Sequence, residues 1–300
     1  MALSLAAGIA PNGADAASCG FALAFTQSDE GGAKSVKVYE ATADKAGSQR
    51  PFAFVVPHVK VNTDGTRISY KSDDPRGQNG AINDIRNAFR NHKRPISDFE
   101  AIRDAGWKPI DKVWQVLSPN IIEKDNRPGK VGMPCMDENG YLVSMTADTA
   151  VNGGFNRVGD CDQKKWIDAL TVPALVLPGG SPFQKDGAGK RSAVVAMTVG
   201  EGQQVALGMV GDTGPGDEIG EASVEMNRIL NGLPPGTIPN SRADAKARFQ
   251  AGRTVFLVFP GDDNRVPRPI NAETVKAFTE SRFKAWGGKD RLTGCLSELQ

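Results

Sequence analysis

Asp212 and Glu221 are the residues of this chain whose type and spacing most directly suggest bond-breaking chemistry. They bracket the stretch Gly211-Asp-Thr-Gly-Pro-Gly-Asp-Glu-Ile-Gly-Glu221, which comes after the apolar run Val205 to Val210 and also carries Asp217 and Glu218. The apolar run has the character of a buried strand, and the glycines with Pro215 mark the segment after it as turn. Two carboxyls at the ends of one tight excursion can face each other across a groove. Glycoside hydrolysis with inversion needs that arrangement: a protonated carboxyl for the leaving oxygen and a carboxylate to activate water, about 6.5–9.5 Å apart. Glu221 stands just before Ser223, the expected N-cap of a helix, where the helix dipole favours the ionised form; Asp212, leaving an apolar strand, is better placed for a raised pKa. Asp212 is therefore expected to be the acid and Glu221 the base, with the order of roles open because Asp217 and Glu218 can shift either. The competing structural reading is a surface turn in which Asp212 makes an Asx-turn and Glu221 starts a helix.

Other chemistries fit less well. The two histidines, His58 and His92, cannot build a histidine-rich metal site, and any Ser-His-Asp or Cys-His arrangement would have to use one of them. Gly187-Ala-Gly-Lys190 looks like the end of a phosphate-binding loop, but Gln184 replaces its first glycine and Arg191 comes after the lysine. The glycines at 214, 216 and 220 miss dinucleotide-binding spacing and set carboxylates where a pyrophosphate would lie. No metal and no cofactor are expected.

The chain has 300 residues and a net charge of +1. Near-balanced charge without a basic block argues against a nucleic-acid partner. No apolar stretch has the length of a membrane-spanning helix, so a soluble protein without membrane association is expected. Met1 to Ala10 resembles the apolar part of a signal peptide and Ala14-Asp-Ala16 a cleavage site, although no basic residues precede them. Four widely spaced cysteines, Cys19, Cys135, Cys161 and Cys295, fit two disulfides in an exported, monomeric protein, with three connectivities possible.

Positioning the carboxyls falls to short strands: Phe52 to Val56, Val113 to Leu117, Tyr141 to Met145, Val172 to Leu177, Ala193 to Val199, Val205 to Val210 and Thr254 to Phe259. Gly200-Glu-Gly-Gln203 is a hairpin loop between two of them. Helices are expected at Asn83 to His92, after a Ser97-x-x-Glu100 capping box, after Ser223, and at Ala272 to Trp286 with Val275, Phe278 and Phe283 inward and Gly287 as its stop. The fold class is mainly β with peripheral helices (α+β): a leader over 1–18, then one domain over 19–300 with a barrel core at about 52–260 and a C-terminal helix at about 272–286.

The stretch Gly211-Asp-Thr-Gly-Pro to Ile-Gly-Glu-Ala-Ser223 resembles the signature of glycoside hydrolase family 75, the fungal-type chitosanases. Ile167-Asp-Ala to Pro-Ala-Leu-Val-Leu-Pro178 is similar to a second segment of that family, with Ala174 where the family has tyrosine, and Asn62-Thr-Asp-Gly65 is similar to a third. The likeness spans roughly residues 52 to 232 and is specific in the first two motifs. It implies a six-stranded double-psi β-barrel core, an inverting endo-cleavage of β-1,4-linked glucosamine polymers, Asp212 and Glu221 as the catalytic pair, and a secreted enzyme. Asp64, Thr213, Asp168, Asp217 and Trp166 are the candidate substrate-binding residues, with Asp168, Asp217 and Glu218 as candidates for ammonium groups and Trp166 for a sugar face; Trp107, Trp114 and Tyr141 are further aromatic candidates. Two alternatives remain: a peptidoglycan-cleaving hydrolase or lytic transglycosylase on the same barrel, and a non-catalytic wall-binding module.

Overall fold

The computed structural model describes residues 19–42 and 50–299. The leader-like segment at 1–18 lies outside them. The fold is mixed α/β. Its strands are β1 (Phe21–Asp29), β2 (Lys34–Ala41), β3 (Phe52–Val56), β4 (Lys60–Asn62), β5 (Tyr70–Lys71), β6 (Tyr141–Leu142), β7 (Ala174–Pro178), β8 (Ala193–Thr198), β9 (Val205–Gly214), β10 (Glu221–Ser223) and β11 (Thr254–Val258). Nine of them form one mixed sheet in the order β1-β2-β3-β11-β8-β9-β7-β10-β4, and β5 pairs with β6 in a separate ribbon. The hydrogen-bonded order has two ends, so the ladder itself is an open sheet. β3 and β4 are nevertheless consecutive pieces of one chain, separated only by Pro57-His58-Val59.

The central strands are buried on both faces, which explains their near-continuous apolar sequences. Successive side chains alternate between two cores. In β8 and β11, Val194, Ala196, Phe256 and Val258 enter a core shared with β3, β7 and the helix Val224–Leu230. Their neighbours Val195, Met197, Val255 and Leu257 pack against Phe283 and Trp286 of the helix Ala272–Trp286. That helix has the expected bounds, is capped by Asn271 and stops at Gly287 with φ 120°. Ser223 caps the helix Val224–Leu230 by accepting from the Met226 N–H, also as expected.

The expected strand Val113 to Leu117 is instead a helix, Ile110–Val116, with Pro109 at its N-cap. Ile110, Val113, Trp114 and Leu117 stand at i, i+3, i+4 and i+7, and they cover one face of a second core together with the helix Ile96–Asp104; a short apolar run is ambiguous by period alone. That second helix starts at Ile96 behind Pro95, so Ser97 sits inside its first turn and does not cap it. Asn83 to His92 holds only a 3-10 turn, Ile85–Ala88, capped by Asp84. The strand expected at Tyr141 to Met145 is shortened to two residues. The hairpin of β1 and β2 has no counterpart among the expected elements, although Val36 and Val38 alternate beside the Gly31-Gly32 turn.

Disulfides join Cys19 to Cys295 and Cys135 to Cys161. Among the described residues no helix is long and apolar enough to cross a membrane. The bridges close loops of 276 and 26 residues. In the chain-entropy account the short loop is worth about 3.5 kcal/mol and the long one about 5.5. Cys19→Ser/Cys295→Ser is therefore expected to lower the denaturant midpoint more than Cys135→Ser/Cys161→Ser; equal midpoints for both variants and the parent would contradict this.

Candidate active site

β9 and β10 both pair with β7, one on each side, and the register meets at one residue. Val176 is opposite Asp212 in the parallel β7–β9 ladder and opposite Glu221 in the antiparallel β7–β10 ladder. Glu221 is in turn opposite Lys60 of β4. Residues in register project from the same face of a sheet. Asp212, Val176, Glu221 and Lys60 therefore form one row, in which an apolar side chain separates the two acids and a cation flanks the second. Two strand spacings of about 4.8 Å set the backbones of Asp212 and Glu221 about 10 Å apart. Asp212 thus sits on a strand, which continues to Gly214, and the turn expected from Gly211 occupies only 215–220. Gly220, with φ 80°, lies so close to Val56 that a Cβ would come within 2.8 Å of it, and this tight turn delivers Glu221 to β10.

The row lies in a cleft of about 510 Å³ whose lining also includes Asn62, Asp64, Tyr70 and Thr213. Asp64 is two residues beyond β4. Its Oδ1 accepts from the Tyr70 hydroxyl at 2.8 Å and from Ser144 Oγ at 3.1 Å. Tyr70 accepts in turn from Asn83 Nδ2, which also donates to Thr63. The chain turns after Asp64 at Gly65, φ 86°, where a Cβ would fall 2.0 Å from the Ile167 carbonyl oxygen. Asp212 Oδ1 accepts from two backbone N–H groups, Ala147 at 2.7 Å and Thr213 at 2.8 Å. Both bonds fall on one oxygen, which leaves Oδ2 as the atom on which a proton can reside.

All three carboxyls are held above their ordinary range. Burial pushes Asp212 up to about 8, the charge of Asp64 adds to it, and the two backbone donors pull the other way without prevailing. Burial and then Asp64 bring Glu221 to about 7 against the opposing pull of Lys60 and Asn62. Burial takes Asp64 to about 6 despite Tyr70 and Ser144. The expectation that the helix dipole would keep Glu221 readily ionised is corrected: desolvation and a neighbouring carboxyl outweigh the start of a short helix. Lys60 is itself opposed by burial but is held charged by ion pairs to Glu218 and to Asp29, the latter at 3.0 Å. Each carboxyl is thus shifted toward neutral pH, which suits a cleft that holds a proton donor and an acceptor together.

The structure brings Asp64, Thr213, Asp212 and Glu221 to one cleft and leaves the other sequence candidates outside it. Trp166 is fully buried and donates its indole N–H to Glu123 at 2.8 Å, so it offers no face to a sugar. Asp168 turns inward on its own loop, accepting from Leu170 N and Thr171 Oγ1. Asp217 is exposed at the tip of the 215–220 turn and does not line the cleft. Trp107 and Trp114 belong to the second core, and Tyr141 lies under Lys71 away from the cleft. The aromatic groups that do line the cleft are Tyr70 and His92. Sequence reasoning missed Lys60, Tyr70 and Ser144 as site residues; Lys60 reaches Glu221 and Ser144 reaches Asp64 through pairing distant in sequence, which carries no local signal. Asn62 and Glu218 stand inside the motifs at 62–65 and 211–221, and the fold adds that both line the cleft. The close group of metal-ligand types among the described residues, Asp125, Cys135 and Cys161, has both sulfurs in a disulfide. No protein-family model matches the chain, and no curated protein matches it.

Proposed function

We propose that this protein is a glycoside hydrolase that cuts β-1,4-linked glucosamine polymers internally with inversion, as a chitosanase does. The observation that carries this reading is the pair of carboxyls flanking Val176 in one row. Their backbone spacing of about 10 Å leaves room for a water between the groups. It suits an inverting site, with carboxyls about 6.5–9.5 Å apart, better than a retaining one at about 5–5.5 Å. Asp212 has the more strongly raised pKa and a free Oδ2, and it donates a proton to the leaving glycosidic oxygen. Glu221, beside Lys60, takes the proton from a water that attacks the anomeric carbon from the opposite side. The hydroxyl of Thr213 and the amide of Asn62 suit sugar hydroxyls, and Asp64 and Glu218 suit ammonium groups on the polymer.

A six-stranded double-psi barrel accompanies this reading. Three features favour it: β3 and β4 are one chain kinked at 57–59, β7–β9 and β10–β4 are parallel pairs, and Val59 bridges Ala251 just before β11. If the kinked β3–β4 segment is counted as one strand, it is adjacent to β11 at one end and to β10 at the other, an adjacency that supports a six-stranded arrangement. Two disulfides fit a protein exported to an oxidising compartment.

A lytic transglycosylase needs one acid and no water-activating base, so the placement of Glu221 in the same row favours hydrolysis. Product analysis on chitosan, chitin oligomers and peptidoglycan separates these outcomes. Oligosaccharides with ordinary reducing ends from chitosan are expected; anhydro-sugars from peptidoglycan, or no cleavage of any of the three, would contradict the proposal.

A further inference from the structure

Asp212 takes its Ala147 N–H bond from a short turn, residues 146–149, that lies far from β9 in sequence. The turn is held from several directions. Thr146 Oγ1 donates to the Asp148 carbonyl at 2.7 Å and accepts from Ile167 N, and Thr149 N donates to Asp148 Oδ1 at 2.8 Å. The Asp148 side chain is almost fully buried between two guanidinium groups. Arg268 pairs with its Oδ1 and also donates Nε–H to the Thr149 carbonyl at 3.0 Å. Arg191 Nε stands 3.4 Å from its Oδ2. Arg191 is anchored to the catalytic strand itself: its N–H donates to the Val210 carbonyl at 2.8 Å, two residues before Asp212, and its own carbonyl accepts from Val266 N. Its backbone is left-handed, φ 67°, a conformation unusual for arginine that the surrounding bonds must hold in place.

We propose that Asp148, Arg268 and Arg191 form a positioning clamp that fixes the 146–149 turn against β9 and so keeps the Ala147 N–H on Asp212 Oδ1, directing Oδ2 into the cleft. None of the three lines the cleft or touches the space a substrate would occupy. Two guanidinium groups flank one carboxylate, and burial, then the like charge of Arg268, disfavours the charged form of Arg191. Asp148 is what allows the two arginines to share the site, and they in turn hold the turn on both sides. The charged or titrating groups that face Asp212 from its other neighbours are Asp64 and Glu221, and Thr213 N–H is its remaining donor. Loosening the turn removes one of only two donors that favour its ionised form.

The kinetic arm of the test rests on Asp212 being the proton donor; the titration arm does not. In Arg268→Gln, the Asp212 carboxyl, monitored by ¹³C NMR and assigned with Asp212→Asn, is expected to titrate about 0.5–1 pH unit higher than in the parent, as loss of a hydrogen bond to the ionised form requires. The kcat on chitosan is expected to fall about 10-fold with KM little changed, and the alkaline limb of its pH profile should move up with the NMR midpoint. Arg268→Lys, which keeps the charge but cannot bridge Asp148 and the Thr149 carbonyl together, should give a smaller shift in the same direction, and it serves if the glutamine variant does not fold. Arg265→Gln, whose side chain pairs with Asp262 at the surface, should leave the midpoint in place. A folded Arg268 variant with an unmoved Asp212 midpoint would overturn the clamp. The titration needs no substrate, so a protein that cuts no chitosan still tests it.

Discussion

Under the proposed function, Asp212→Asn and Glu221→Gln are each expected to give a folded protein whose turnover of chitosan is lower by about 10²–10⁴-fold, the range for losing one general acid or base. The asparagine variant is close to isosteric, and because both backbone donors meet Oδ1, its carbonyl oxygen can keep both bonds while Oδ2 is replaced by a group that cannot deliver a proton. Loss of activity is therefore a loss of chemistry. The two lesions should not add when combined, since a site lacking either partner already lacks the concerted step. Rate assays on the single and double variants, with circular dichroism as the control for folding, check this. A Glu221→Gln variant that keeps most activity while Asp212→Asn is inactive would point to chemistry with one acid and no base.

The second large effect is on stability. Asp212, Glu221 and Asp64 have folded-state pKa values of about 8, 7 and 6, each above the ordinary carboxyl value near 4. A carboxyl raised on folding leaves stability intact below its unfolded pKa and withdraws it as pH rises through the folded one. With respect to these groups the protein should thus be most stable at about pH 4 and below, and lose stability across the window from about 4 to 8. For Asp212 alone the limit is on the order of 3–5 kcal/mol above pH 8, at about 1.4 kcal/mol per unit and with allowance for relaxation of the site. Asp212→Asn should consequently raise the melting temperature by roughly 5–10 °C at pH 9 and change it little at pH 4. Thermal scans of both proteins across this range decide it; a variant that melts with the parent at every pH would show that the carboxyl is not desolvated. A site that stores proton affinity at the expense of the fold is the trade expected of catalytic carboxyls.

Parts of this site are legible in the sequence for physical reasons. Asp212 and Glu221 stand out because glycines and acids directly after an apolar strand are poor core material, and the apolar runs of β3, β7, β8, β9 and β11 are visible because doubly buried strands must be apolar throughout. Asp64 emerges from a motif resemblance, and its neighbour Gly65 does occupy a position where no side chain fits. Register is what a linear sequence does not express. Nothing local to Val176 says that it separates two acids, nothing local to Lys60 says that it flanks Glu221, and Tyr70 reaches Asp64 only through the fold. Trp166 shows the converse error: an aromatic next to a motif has the look of a sugar platform, but its indole N–H is consumed by a buried carboxylate. The helix at Ile110–Val116 reads as a strand in sequence because four apolar residues in a short run satisfy either period until a partner is known.

The most direct test of the account is the anomeric configuration of the first product released from a glucosamine oligomer, recorded by ¹H NMR before mutarotation. Cleavage of the β-linkage to give the α-anomer, abolished in both Asp212→Asn and Glu221→Gln, is the predicted result. Release of the β-anomer, or cleavage that survives both substitutions, would contradict an inverting site built on these two carboxyls.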